Sequence, residues 1–413
     1  MFTPDPQTAS VSKNQNKFKA WYKKFSSQPH QPFFTSGILF LILFLSLFVA
    51  SYSNILTLDA SLLTYHAYSM IFVIFIQFFL GFLFVVFPRF LMQAEIKPEV
   101  YMKLFHMYFI ASLGVFLSII FFSTITILFQ LLMLVAQVLS FKLLFDIHKK
   151  SLMKVKEDTK WVLISFVAGL VSQVLFLISS FSFPYSYEIS KLSINSGFYL
   201  FLFMIIFSIS QRMIPFFTTS KAPGYVINKT KDVLLFIFIL LLLKVILLSF
   251  DNAKLNLIAD IPLFILFTRE LIKWKLPLFK VPAIMWVLYI ALYWIPLAFG
   301  LSIIESIMSF VSPDILFEKA VIHTLALGYF ITVLLGFGTR VVLGHSGSTP
   351  TADNFAVFIF ISAQVITLFR IFTSFSLNFE SGYIFLLNVT AVLLILGLII
   401  WSSRYIKILL KGK

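Results

Sequence analysis

The chain has 413 residues, 60% of them hydrophobic and 12% charged, with a formal net charge of +15. Soluble domains carry about 25% charged residues, and a core of this size could not hide so much apolar surface, so the surplus must face lipid. The absence of Cys excludes disulfides, iron–sulfur clusters and thiolate metal sites, which leaves six His as the principal candidates for metal or haem ligation.

Residues 1–32 are polar and basic, with Pro4, Pro6, Pro29 and Pro32, and read as a flexible cytoplasmic tail. The apolar run comes too late, and without a small-residue cleavage pattern, for a signal peptide. Twelve apolar runs follow, near the roughly 20-residue spanning length: 33–53, 65–87, 101–122, 124–147, 160–183, 194–211, 232–250, 255–272, 283–305, 319–342, 354–375 and 382–402. They show no strand-like alternation, which argues against a β-barrel. The eighth is the weakest, interrupted by Asp260 and Pro262. The fold expected is an all-α polytopic membrane protein of about twelve transmembrane helices, forming one domain over 33–403, with a short basic cytoplasmic tail at 404–413.

Charge placement tests that topology. Counting alternate segments from the N-terminal tail as internal gives 25 Lys and Arg inside against three outside, Lys191, Lys254 and Lys319. This alternation places both termini in the cytoplasm. The excess positive charge is thereby a topology signal, and a nucleic-acid partner is not required. Membrane lipid is the expected surrounding.

Polar residues within the runs carry the functional argument. His66 and His323 each open an even-numbered span, which puts both imidazoles near the outer face. Intramembrane ionisable groups default to functional hypotheses, and imidazoles from two helices suit axial haem ligation or copper. Helix capping is the plainer alternative. After His323, the residues Thr324, Gly328, Thr332, Gly336, Arg340 and Gly344 recur every four positions. That stripe allows close approach of another helix or of a flat cofactor. His345 lies 22 residues beyond His323, roughly 33 Å along a helix, so the two mark opposite faces. His106, near the inner end of span 3, is the candidate to join His345 in an inner site. His30 and His148 lie in basic segments and read as solvated. Arg89, Arg212 and Arg340 gather near the inner interface, either as topology determinants or as a clamp for carboxylates such as haem propionates. Arg370 and Lys244 lie mid-span and need partners, with Glu305 and Asp260 suitable by type. No phosphate-binding loop, catalytic carboxylate pair or Ser–His–Asp arrangement stands out.

Three patches resemble the NnrS family, haem- and copper-containing inner-membrane proteins of the bacterial nitric-oxide response. His66-Ala67 through Met70 is similar to the family's W-H-A-H-E-M. Arg212-Met213-Ile214-Pro215-Phe216-Phe217-Thr218 is similar to G-R-x-I-P-F-F-T. His323 through Gly328, then Thr339-Arg340-Val341 and Leu343-Gly344-His345-Ser346-Gly347, resemble H-A-x-x-x-G and T-R-x-x-L-G-H-T-G. The chain departs from the pattern at Tyr65, Tyr68, Ser69 and Ser348, losing one metal ligand and one carboxylate after His66. The resemblance implies a haem-binding protein that protects against nitrosative stress, with copper as a further metal and nitric oxide as ligand. Together with the depths of these residues, the reading expects His66 and His323 as outer ligands, His345 with His106 as a weaker inner metal site, and Arg212 and Arg340 as orienters of propionates or another anion. Two rival readings are a secondary transporter or metal or haem exporter using the polar face of spans 2 and 10, and a sensor signalling through its cytoplasmic face.

Overall fold

Each of the twelve runs forms one helix. The computed structural model describes residues 17–58, 61–181, 183–278, 280–345, 347, 349–379 and 382–411. The helices are α1 His30–Tyr52, α2 Leu62–Phe90, α3 Pro98–Phe121, α4 Ser123–Lys150, α5 Glu157–Ser179, α6 Ser186–Lys221, α7 Val233–Leu248, α8 Leu257–Trp274, α9 Ala283–Val311, α10 Ala320–His345, α11 Asn354–Phe379 and α12 Tyr383–Lys411. Among the described residues there is no strand, and ten of these helices are long and apolar enough to cross a membrane. The other two are α7, with 16 residues, and α8, which carries Asp260, Arg269, Glu270 and Lys273.

Local chemistry sets the helix ends. Ser61 caps α2 by accepting from the Thr64 amide at 3.4 Å, and Asp353 caps α11 by accepting from the Ala356 amide at 3.1 Å. Pro98 opens α3, where its missing N–H costs nothing. Glu157 and Asp158 lie in the first turn of α5, and His148, Lys149 and Lys150 in the last turn of α4. Each set opposes the partial charge of its helix end.

The centre of the bundle is made by every fourth helix. In α2, α6 and α10, 94%, 89% and 78% of the apolar window is buried, against 33% in α4 and in α12. The peripheral helices instead expose large side chains such as Leu128, Leu131 and Val135. Each central helix also widens into a π-helical segment: Ser69–Phe75, Gly197–Phe203 and Thr324–Ile331. A π turn disturbs the ordinary carbonyl ladder, and neighbouring polar side chains bond carbonyls around it. Ser69 donates to the His66 carbonyl at 3.0 Å, and Gln77 to that of Val73 at 2.8 Å. Ser196 donates to Leu192 and Thr332 to Leu327. The widened segments meet through aromatic rings, with Phe75 on Phe330 at 5.8 Å and Phe198 on Phe330 at 5.2 Å. Phe82 meets Phe337 at 5.6 Å, seven residues further along both helices, so α2 and α10 run side by side in register.

Without a strong hydrophobic drive in lipid, packing relies on close backbone approach. The stripe on α10 does this: Gly328 receives the indole of Trp294, and Gly336 the side chain of Leu288, both from α9. The stripe therefore serves helix packing at these positions, and a flat cofactor has no room against them. Trp294 is anchored by donating to Gln364 at 2.6 Å.

The expected tails differ from the structure. Residues 1–16 lie outside the described residues. Residues 17–25 are helical, and Tyr101 donates to the Ser26 carbonyl at 2.5 Å. His30, Gln31 and Pro32 are buried at the start of α1. At the other terminus α12 continues through Lys411, with Tyr405 and Leu409 buried. The Gln31 amide donates to the Leu409 carbonyl at 3.3 Å, so the first turn of α1 packs against the last turns of α12.

Candidate functional site

The bundle's two ends hold different chemistry. At one end, α2 and α10 begin and present His66 and His323. The His66 ring lies against Phe48 of α1, with centroids 4.7 Å apart. The His323 Nδ1 lies 2.9 Å from the Lys319 carbonyl, one helical turn earlier. It also lies 3.2 Å from Nη2 of Arg370 on α11. A carbonyl only accepts and a guanidinium only donates, so one nitrogen cannot serve both. The shorter carbonyl contact assigns the proton to Nδ1 and leaves Nε2 with its lone pair.

Arg370 is the residue at this end whose role was not legible in sequence. It is only 4% exposed, donates to Ser374 Oγ at 2.6 Å, and its charge acts on both His66 and His323. Among the described residues, no carboxylate lies within ion-pairing distance of it. Glu305 and Asp260, suitable partners by type, are not its partners. Two imidazoles beside a buried guanidinium make a site with nitrogen donors and a preference for an anion. Tyr68 adds no donor there. It is fully buried, packs on Phe176 of α5 at 4.5 Å, and its hydroxyl accepts from Gln173 at 3.4 Å.

Arg212, Arg340, His345 and His106 lie towards the other end. Arg212 is on α6 and Arg340 on α10, 17 residues and roughly 25 Å beyond His323. They are not brought to the His66 and His323 imidazoles. Arg212 pairs with Asp158 at 2.6 Å and lies over Phe90 at 4.0 Å. Arg89 pairs with Glu95 at 2.9 Å. Arg340 lies over Phe217 at 3.8 Å, with no carboxylate paired to it among the described residues. The expected pairing of His345 with His106 is not formed. His106 is exposed and stacks on Tyr22. His345 instead meets His30, with ring centroids 4.5 Å apart, and His30 is 2% exposed rather than solvated. His148 is half-buried, with Nδ1 3.0 Å from Thr159 Oγ1.

Beside Arg212, the α6–α7 loop docks through Lys229. Its ammonium donates to the Gln211 carbonyl and, at 2.6 Å, to Gln211 Oε1. Burial lowers the Lys229 pKa to about 8, against the pull of Asp158 and Glu270. The folded chain thus releases this proton before the unfolded chain does. Between pH 8 and the usual 10.5 the unfolded state binds more protons, so this group makes stability rise with pH across that window. Lys229→Met should flatten the rise. Melting temperatures in detergent from pH 7.5 to 10.5 check it, and an unchanged slope would refute the assignment.

A bundle built from ten helices of spanning length and character, with polar sites at its ends, is that of a multi-pass helical membrane protein. The chain matches the model of the NnrS protein family over residues 24–413, and it belongs to that family. No curated protein matches it.

Proposed function

We propose that this chain is a haem-binding protein of the nitric-oxide response, spanning a bacterial inner membrane twelve times with both termini in the cytoplasm. Family membership supports the nitric-oxide role, and the 25 to 3 distribution of Lys and Arg supports the orientation. The observation that carries the haem assignment is the pair His66 and His323 beside Arg370. The donor chemistry fits: the Lys319 carbonyl orients the His323 ring with Nε2 available, and among the described residues no hydrogen bond engages the His66 ring. Arg370 suits a propionate by charge. His66 and His323 would hold the haem, which would supply an iron centre able to bind nitric oxide. Around it the chain orients two imidazoles, holds a cation in place and surrounds the site with apolar rings. Arg212 and Arg340 serve the cytoplasmic end. Copper at the outer pair has weaker support, since the family's second His and its Glu are replaced by Tyr68 and Ser69, and Tyr68 turns towards α5.

An absorption spectrum of detergent-purified protein supplied with haem tests this. A Soret band is expected, lost or shifted in His323→Ala and in His66→Ala, and perturbed by nitric oxide. A well-folded preparation without a Soret band would sink the haem assignment. A haem spectrum indifferent to nitric oxide would exclude direct binding at that iron.

A further inference from the structure

We propose that the short helix formed by residues 17–25, with the groove it leaves against the start of α3, binds an anionic phospholipid of the adjoining leaflet. Phe18, Trp21, Tyr22 and Phe25 recur at helical spacing and make one apolar stripe. The later part of the stripe is docked on the bundle. Phe25 is 7% exposed and meets Phe105 of α3 edge-on at 6.2 Å. Tyr22 stacks on His106 with centroids 6.4 Å apart and rings 7° from parallel, and Tyr101 ties down the turn that follows through the Ser26 carbonyl. The earlier part is not docked. Phe18 is 62% and Trp21 39% exposed, although stacking on Phe25 at 5.1 Å fixes the direction of the Trp21 ring. Helix docking accounts for Tyr22 and Phe25, and leaves the two exposed rings in want of an apolar neighbour.

Charge selects the kind of lipid. Lys17, Lys19, Lys23 and Lys24 lie on the same helix and are all exposed. Among the described residues, none of them is in an ion pair. The helix leads towards α1 and leans on the first turns of α3, so it lies at the level where two spans begin, at the cytoplasmic interface in the topology proposed above. Aromatic and basic side chains mixed at that level belong to an interfacial helix, with rings in the headgroup–acyl boundary and lysines on the lipid phosphates. A groove of about 550 Å³ gives one headgroup its place, and its lining includes Phe18, Lys19, Tyr22, Lys23 and Glu99. Lys19 and Lys23 are one helical turn apart, so two ammonium groups can meet one phosphate, with the Phe18 ring beside the chain below it. A zwitterionic lipid brings its own cation to these lysines, and an anionic one does not. Glu99 is the carboxylate in the lining and opposes the anion.

The test is fluorescence quenching of Trp21 in the full-length protein, held in bilayer nanodiscs of phosphatidylcholine with a minor share of phosphatidylglycerol. Bromine is placed on the acyl chains of one lipid or the other. The chain has six Trp, so the Trp21 signal is the difference between the protein and its Trp21→Phe variant. Trp21 should be quenched, and the association constant for phosphatidylglycerol should exceed that for phosphatidylcholine by at least about fivefold, the effect of one engaged lysine. The preference should fall towards unity in Lys19→Gln/Lys23→Gln, rise in Glu99→Gln, and weaken with added salt. These positions are exposed, and a monodisperse elution profile verifies each fold. Trp21 unquenched by either lipid, equal quenching by both, or a preference unchanged in Lys19→Gln/Lys23→Gln would each overturn the proposal. Displacement of phosphatidylglycerol by soluble inorganic phosphate would assign the groove to a free anion and overturn it as well. The nanodisc offers both lipids on both faces, so no outcome depends on the proposed orientation or on haem binding at the outer pair.

Discussion

Lys244→Ala should destabilise the folded protein by about 3–5 kcal/mol, the usual consequence of stranding one member of a buried ion pair. Lys244 on α7 and Asp260 on α8 lie 2.6 Å apart, with side chains 2% and 0% exposed. Ser302 of α9 donates to the second Asp260 oxygen at 2.6 Å, so three helices are tied at one point. The rings of Tyr199 and Phe299 lie 5.5 and 6.0 Å from the ammonium and give partial compensation. Asp260→Ala should cost a similar amount, because it leaves the ammonium stranded. The double replacement Lys244→Met/Asp260→Leu should recover most of the loss, since a well-packed apolar pair often matches a buried ion pair. Thermal unfolding in detergent of the two single variants and the double variant reads the coupling. Additive losses would show that the two charges do not act as a pair.

The second large effect is expected at Gly328. A Cβ there would lie 2.5 Å from Cγ and 2.6 Å from Cδ2 of Trp294. The indole cannot easily withdraw, because its N–H is bonded to Gln364, which in turn donates to Thr332 at 3.1 Å. Gly328→Ala should therefore cost about 1–3 kcal/mol as overpacking, measured as a lower melting temperature. In a Trp294→Ala background the same change should cost much less. Equal costs in the two backgrounds would locate the strain elsewhere.

The helices were legible because lipid imposes one simple rule on long segments: a sustained apolar run must satisfy its own backbone, and a helix does so. Eleven of the runs agree with their helices in position, apart from extended ends. The sixth, read as 194–211, extends to Ser186–Lys221. Its polar first turns and Pro215 look like boundaries in sequence, but the helix continues through the proline, with Thr218 and Thr219 bonding the Ile214 and Pro215 carbonyls. The C-terminal residues read as a tail because of their charge. Trp401, Tyr405 and Leu409, buried at intervals of four, were the signal of a helix face. His66 and His323 could be placed at one end because the depth of a residue within a span is a local property. The proximity of His30 and His345 could not be read, since it depends on how distant helix ends pack. Arg370 stood out in sequence as a charge needing a partner, but its neighbours come from tertiary packing. Lys244 and Asp260 were recognisable by type and lie on consecutive helices.

The contact between Gln31 and Leu409 joins residues 378 positions apart. At about 5–20 residues per second, translation would separate their syntheses by roughly 20–75 s. Throughout that interval α1 has α2 beside it, but the face that will meet α12 must rest on lipid or on the insertion machinery. The seam between α1 and α12 is thus formed only after the ten helices between them have been made, and Gln31 waits for its Leu409 acceptor until then.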